Sequence, residues 1–312
     1  MHPAYSVILF TSASGAGYGL LIWLALSWLG LVSAPQPWIA FWMAIFALVL
    51  ITTGLLASTF HLGHPERAWR AFSQWRSSWL SREGVLAVLT YPVALVLTVV
   101  WVWDGIPPIL TTVNAALLCL LCLLTVLATG MIYASLKTIP RWSNAFVVPV
   151  YLLFALASGG LLYLLALALS GTLTMVALVL AVLLLSWLVK WRYWRFIDTQ
   201  KSASNSGTAT GLGHLGSVRQ LDAPHTSENY LLQEMGYVVA RKHSRKLRRM
   251  ALLLGFVVPF TALILTYAVA GHTSTLLILI AVISGFAGVL IERWLFFAEA
   301  RHAVTLFYGR SL

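Results

Sequence analysis

The chain has 312 residues, of which 60% are hydrophobic and only 9% are charged. A soluble domain carries about 25% charged residues, so this composition excludes an ordinary soluble protein. The net charge of +11 would suggest nucleic-acid binding in a soluble chain. Here the distribution of the charge along the chain matters more than its sum, and we expect no nucleic-acid partner.

Eight apolar segments follow one another along the chain. Each has about the 20 residues that a helix needs to cross roughly 30 Å of hydrocarbon. Because backbone polar groups in lipid must be satisfied within their own segment, these segments are predicted to be helices. The sequence therefore predicts an all-α polytopic membrane protein with eight transmembrane helices, in which residues 1–312 form a single domain. The segments lie at roughly 5–31, 37–59, 84–103, 109–134, 145–169, 173–192, 250–270 and 274–297.

The basic residues all fall on one side of this arrangement. Every one of the 20 Lys and Arg lies in a connection that follows an even-numbered span, or at the C-terminal end. An excess of Lys and Arg marks the cytoplasmic side of a membrane protein. The sequence therefore predicts cytoplasmic N- and C-termini and a multi-pass location in the bacterial inner membrane.

The connection after the second span reads HPERAWRAFSQWRSSWLSRE. Pro65 suits the first turn of a helix, where its missing N–H is not needed. Ala68, Phe72, Trp75 and Trp79 then recur at the spacing of one helix face. This pattern predicts an interfacial helix between spans 2 and 3, with its aromatic side towards the membrane. Anchoring to lipid headgroups explains its tryptophans and arginines.

Two ionisable residues at the ends of this surface helix are candidates for chemistry. His61 lies at the end of the second span and Glu83 at the start of the third, and an ionisable group at the edge of the hydrocarbon is a functional candidate. Imidazole titrates near neutral pH, and a partly desolvated carboxylate is a workable proton acceptor. The pair, with His64 and Arg67 nearby, suits a quinone head beside an apolar slot for its tail. A structural His–Glu or Arg–Glu interaction is the alternative.

The long connection at 193–249 is predicted to be a cytoplasmic loop for partner docking. Its segment HTSENYLLQEMGY contains Tyr230, Leu232 and Tyr237, which a bare connector would not need. Three basic residues are assigned to partner docking or electrostatics: Arg70, Arg82 and Arg293. Glu292 and Arg293 could pair with each other or with the connection between spans 2 and 3. A structural ion pair near the interface is favoured there over lining the quinone pocket or docking the iron–sulfur subunit.

Other kinds of site fit the sequence less well. A membrane b-haem needs two histidines inside spans, and none of the eight histidines falls in mid-span, so no haem is expected. His61 and His64 have no evident third partner for a metal, so no metal site is predicted. A secondary transporter carries ionisable residues near mid-membrane, and these spans have almost none.

Several longer motifs resemble those of one family. The start MHPAYSVILFTSASGAGYGLL, the segment STFHLGHPERAWRAF with SWLSREG, and the end ERWLFFAEARHAVTLFYG resemble the DMSO reductase membrane-anchor family. The resemblance covers essentially the whole chain. The sixth connection looks like the branch that includes anchors of cytoplasmic sulfite dehydrogenases.

The resemblance implies a three-part complex: a molybdopterin catalytic subunit, an iron–sulfur subunit, and this anchor exchanging electrons with the quinone pool. Its cofactor would be ubiquinone or menaquinone, and the molybdopterin and iron–sulfur clusters would belong to the partner subunits. The family's quinol residues fall on His61 and Glu83. Two alternatives remain open, a passive anchor without its own quinone site and a polysulfide-reductase-type anchor, since a shared fold does not decide function.

Overall fold

The computed structural model describes residues 5–59, 64–200, 205–222 and 242–308. All regular structure in these ranges is helical, and eight of the helices are long and apolar enough to cross a membrane. The predicted all-α, eight-span fold is therefore confirmed. We label the spans α1 to α8: Tyr5–Trp28, Pro37–Thr59, Trp79–Val100, Pro108–Ala134, Val147–Leu169, Val176–Thr199, Ser244–Leu265 and His272–Ala298.

Two of the helix ends differ from their predicted limits in a way that encloses charged residues. Helix α3 begins at Trp79 because Ser78 caps it, accepting a hydrogen bond from the Ser81 N–H, so Glu83 lies within the helix rather than before it. Helix α6 continues to Thr199, so Lys190 lies within a span rather than at the start of a loop. Both changes move charged side chains into the bundle.

Helix α1 lies at the centre of the bundle, where two of its glycines permit close packing. A Cβ on Gly19 would overlap the Ala155 carbonyl oxygen of α5, and one on Gly17 would lie 2.7 Å from the Ala47 carbonyl oxygen of α2. A Cβ on Gly15 would meet nothing within 4 Å. The small residues of α1 therefore bring its backbone against two neighbouring helices, as is common in membrane bundles.

The connection between α2 and α3 contains a 3-10 helix, Pro65–Gln74, where the sequence predicted an α-helix. Its Phe72 ring lies against Gly84 of α3, and the Ser81 hydroxyl donates to the Ala71 carbonyl. The Arg82 guanidinium donates to two carbonyls at the helix end, those of Trp75 and Arg76. These contacts fix the surface helix over the start of α3, where Glu83 lies.

The described part of the sixth connection is short. It contains a helix at Ser206–Thr210 and a 3-10 turn at Gly213–Leu215, and a further 3-10 helix at Ala303–Tyr308 follows α8. The predicted docking residues Tyr230, Leu232 and Tyr237 lie outside the described residues, as does His61.

The one-sided charge pattern gives a direct test of orientation. Reporter fusions near Gly105, after α3, and near Ser206, after α6, are expected to give opposite signals, with the Ser206 fusion cytoplasmic, because basic connections stay inside. Alkaline phosphatase and green fluorescent protein fusions measure the two sides. Matching signals at the two positions would contradict the eight-span arrangement.

Candidate functional site

The buried charged side chains of the spans lie near one end of the bundle. We call this the basic end: α1, α3, α5 and α7 begin there and α2, α4, α6 and α8 end there, joined by the connections that carry the Lys and Arg residues. Buried charged residues lie within the spans roughly one to three turns below this end: Glu83, Lys190, Glu292 and Arg293. Buried ionisable groups inside a membrane are costly and mark functional sites.

Glu83 is buried between α3 and α4. Its side chain accepts a hydrogen bond from the Thr129 hydroxyl, and the residue is only 4% exposed. The carboxylate therefore faces the interior of the bundle rather than its surface.

A small polar cavity lies beside this carboxylate, between α1, α4, α5 and α8. It measures about 10 Å³, which is about the space that one water molecule needs. The hydroxyls of Ser12 and Tyr18 line it, and neither makes a hydrogen bond to any residue in the described ranges. Thr129 and Arg293 also line it. Because buried polar groups are nearly always paired, these hydroxyls indicate a site for a polar molecule.

An apolar groove of about 280 Å³ adjoins the polar cavity. Ala16 and Ser158 line both spaces, so the two lie side by side. The groove lies between α1, α2, α5 and α8, and Phe46 and Ile283 on its rim are exposed at the outer surface of the bundle. An amphipathic lipid with a polar head and a long apolar tail matches this combination of spaces.

A cluster of buried charged side chains lies next to the cavity, whose wall includes Arg293. The Lys190 ammonium is 2.5 Å from Glu292 Oε1, and Arg293 Nη1 is 3.5 Å from Glu292 Oε2. The Lys190 Nζ lies 4.0 Å from the centre of the Tyr193 ring, and the Arg293 guanidinium lies 3.7 Å from that of Tyr151. The predicted Glu292–Arg293 ion pair is present, and Lys190 enlarges it to a buried triad with two cations.

The remaining predicted site residues lie at the surface. His64 Nδ1 is 3.0 Å from Glu66 Oε1, and Arg67 Nε is 3.6 Å from the same oxygen, with all three side chains more than half exposed. Arg70 and Arg82 lie over the rings of tryptophans beside them. Of the predicted residues that the structure describes, only Glu83 and Arg293 approach the cavity, and the burial of Arg293 keeps its side chain away from a docking surface.

Sequence reasoning missed Lys190, Thr129, Tyr18 and Tyr151. Lys190 was assigned to the basic loop because it precedes Arg192 and Arg195, although it follows a long apolar run. The hydroxyl residues carry no local signal, since Thr and Tyr are common in apolar helices. Among the described residues, no group of three or more His, Cys, Asp or Glu is placed to hold a metal ion.

The fold and the site together define a multi-pass membrane protein with eight spans, a polar cavity and buried charges below one basic end. The family model described as DMSO reductase anchor subunit (DmsC) matches residues 1–310. The chain therefore belongs to the DMSO reductase anchor subunit family, and it is a membrane anchor subunit that partners with catalytic subunits of an oxidoreductase complex. The predicted family is thereby confirmed.

A curated relative supports the predicted branch of that family. The chain is 34% identical to a sulfite dehydrogenase subunit of Allochromatium vinosum over 331 aligned residues, covering 99% of both chains. An alignment of this extent leaves no large part of either chain unmatched.

Proposed function

We propose that this anchor subunit exchanges electrons between the quinone pool and an iron–sulfur subunit docked on its basic end. The observation that carries the proposal is the buried Glu83 carboxylate and its Thr129 partner beside a polar cavity that shares two lining residues with an apolar groove. A quinone needs hydrogen-bonding and proton-accepting groups at its head and an apolar slot for its tail. A passive anchor needs neither.

The quinone head would approach the cavity from the groove, with Glu83 as proton acceptor or donor. The cavity itself holds about one water molecule, so the ring would lie at its mouth beside Ser158 and Ala16 rather than inside it. His61 precedes the surface helix that packs on the start of α3, and it would donate or accept a hydrogen bond at a quinone oxygen.

The kind of partner subunits is inferred from the family, and their docking position is inferred from the charge of the basic end. A molybdopterin catalytic subunit and an iron–sulfur subunit would dock on the basic end in the cytoplasm, on the inner membrane of a bacterium. The likeness to a sulfite dehydrogenase subunit supports sulfite as the substrate of the catalytic partner. Arg70 and Arg82 would contact the partner or lipid headgroups, and the loop containing Tyr230, Leu232 and Tyr237 would hold the partner.

The test is quinone binding and turnover by the complex. The purified complex is expected to react with decylubiquinone or menadione, and the chain purified alone is expected to bind a quinone-site inhibitor, measured by fluorescence quenching. The partner subunits purified without this chain should lose the quinone reaction. If the partner subunits react with quinone equally well without this chain, the chain is a passive anchor.

A further inference from the structure

The buried triad of α6 and α8 contains one more cation than carboxylate. The side chains of Lys190, Glu292 and Arg293 are at most 2% exposed, and the two cations lie on either side of the Glu292 carboxylate, 2.5 Å and 3.5 Å from its oxygens. Two cations and one carboxylate leave one positive charge in excess. A buried charge is costly unless it is paired or hydrogen-bonded. The triad therefore favours a hydrogen-bond acceptor close to it.

Arg293 is the member of the triad that lines the polar cavity, whereas Lys190 and Glu292 do not line it. The Arg293 guanidinium lies 3.7 Å from the centre of the Tyr151 ring and 5.5 Å from that of the Phe154 ring. Both rings belong to residues that line the cavity as well. The Nε and Nη1 atoms of the guanidinium are buried and make no hydrogen bond to a described residue. Arg293 therefore has unused hydrogen-bond donors beside the cavity.

Two further donors to the cavity come from helix α1. The Ser12 and Tyr18 residues are each 2% exposed, and their hydroxyls have no partner among the described residues. An arginine offers donors and no acceptor, whereas a hydroxyl offers both. The group that would satisfy all three side chains is thus an acceptor. The volume of about 10 Å³ suits one oxygen atom, since it is about the space of one water molecule. A single carbonyl oxygen fits the cavity in both size and chemistry.

We propose that Arg293, together with the hydroxyls of Tyr18 and Ser12, binds one carbonyl oxygen of the quinone head. The inference rests on the proposed quinone function and adds a binding residue from α8 to it. The quinone ring lies at the mouth of the cavity, and one of its oxygens enters the cavity. Because a guanidinium does not release a proton in proteins, Arg293 holds the quinone in place, and proton transfer remains with Glu83.

Replacing Arg293 by Met separates a quinone-binding role from a structural ion pair. Arg293→Met removes the donors at the cavity and leaves Lys190 and Glu292 as a balanced pair. Loss of a hydrogen bond from a charged group should raise the Kd for decylubiquinone by about 10-fold or more. Lys190→Met is the matched control, because it removes the same charge from the same triad but leaves Arg293 at the cavity. It should leave the Kd close to that of the wild type. Equal losses of affinity in the two variants overturn the binding role.

Tyr18→Phe is the second variant, and it decides the question even if Arg293→Met does not fold. It removes one hydroxyl without changing a charge, and no described residue loses a hydrogen bond. Loss of a neutral hydrogen bond should raise the Kd by roughly 2- to 10-fold. Tyr267→Phe, at a tyrosine that is 65% exposed, is its control and should leave the Kd unchanged. An unchanged Kd in Tyr18→Phe, or in a folded Arg293→Met, overturns the proposed contact.

The Kd is measured on the purified chain by the quenching of its tryptophan fluorescence with decylubiquinone. In the whole complex, the KM for decylubiquinone should rise with the Kd, and kcat should change less because Glu83 is still present. Activity with a soluble electron carrier shows that each variant complex is assembled. If the wild-type chain binds decylubiquinone and the variants bind it equally well, only the role of Arg293 is wrong. A wild-type chain that binds no quinone overturns the proposed function itself.

Discussion

The complex carrying Glu83→Gln is expected to lose quinone-coupled turnover by at least about 100-fold, the usual contribution of a positioned acid or base. Glutamine keeps the shape of the side chain and still accepts the hydrogen bond from Thr129, but it cannot take up a proton. His61→Ala is expected to give the same loss by removing a hydrogen bond to the quinone. Turnover with a soluble carrier that reacts with the partner subunits directly should remain in both variants.

The matched control is Glu66→Gln, the same substitution at an exposed carboxylate on the nearby surface helix. It should leave quinone turnover unchanged, because the Glu66 side chain contacts only His64 and Arg67 among the described residues. Normal quinone turnover in Glu83→Gln would move the site away from the α3–α4 contact. Equal losses in the Glu83 and Glu66 variants would indicate a general effect of charge at the basic end rather than a specific proton acceptor.

The spans could be predicted from the sequence because hydrophobic length is a local property. The predicted helix limits were wrong where capping or tertiary packing decides the end of a helix. Ser78 caps α3 five residues before its predicted start, which encloses Glu83. Lys190 is followed by nine further helical residues of α6, because Glu292 neutralises its charge and the Tyr193 ring covers it. A lysine that has its partner on another helix cannot be recognised from hydropathy.

The candidate site was predicted only in part for a similar reason. Glu83 was identifiable because a carboxylate beside an apolar run is rare. The Ser12 and Tyr18 hydroxyls could not be recognised as site residues because their surroundings are formed by other helices. Neither hydroxyl has a hydrogen-bond partner among the described residues. Gly15 and Gly19 of α1 also look alike in the sequence, yet a Cβ at Gly19 would overlap the α5 backbone while one at Gly15 would meet nothing within 4 Å.

The buried triad gives the last prediction, which concerns stability. Removing Glu292 as Glu292→Gln leaves the cations of Lys190 and Arg293 close together with no counter-charge, and both side chains are at most 2% exposed. Breaking a buried ion pair in this way costs about 3–5 kcal/mol. Lys190→Met should cost less, because Glu292 and Arg293 then remain as a balanced pair. The free energy of unfolding in mixed micelles measures both effects.

The double variant Lys190→Met/Glu292→Gln shows whether charge is the cause. It removes one of the two cations along with the carboxylate, so it should be more stable than Glu292→Gln alone, with a coupling of about 0.5–3 kcal/mol between the two sites. Glu66→Gln, at a surface ion pair, should change the stability by no more than about 1 kcal/mol. Additive losses in the double variant would mean that Lys190 and Glu292 stabilise the bundle by packing and not by their opposite charges.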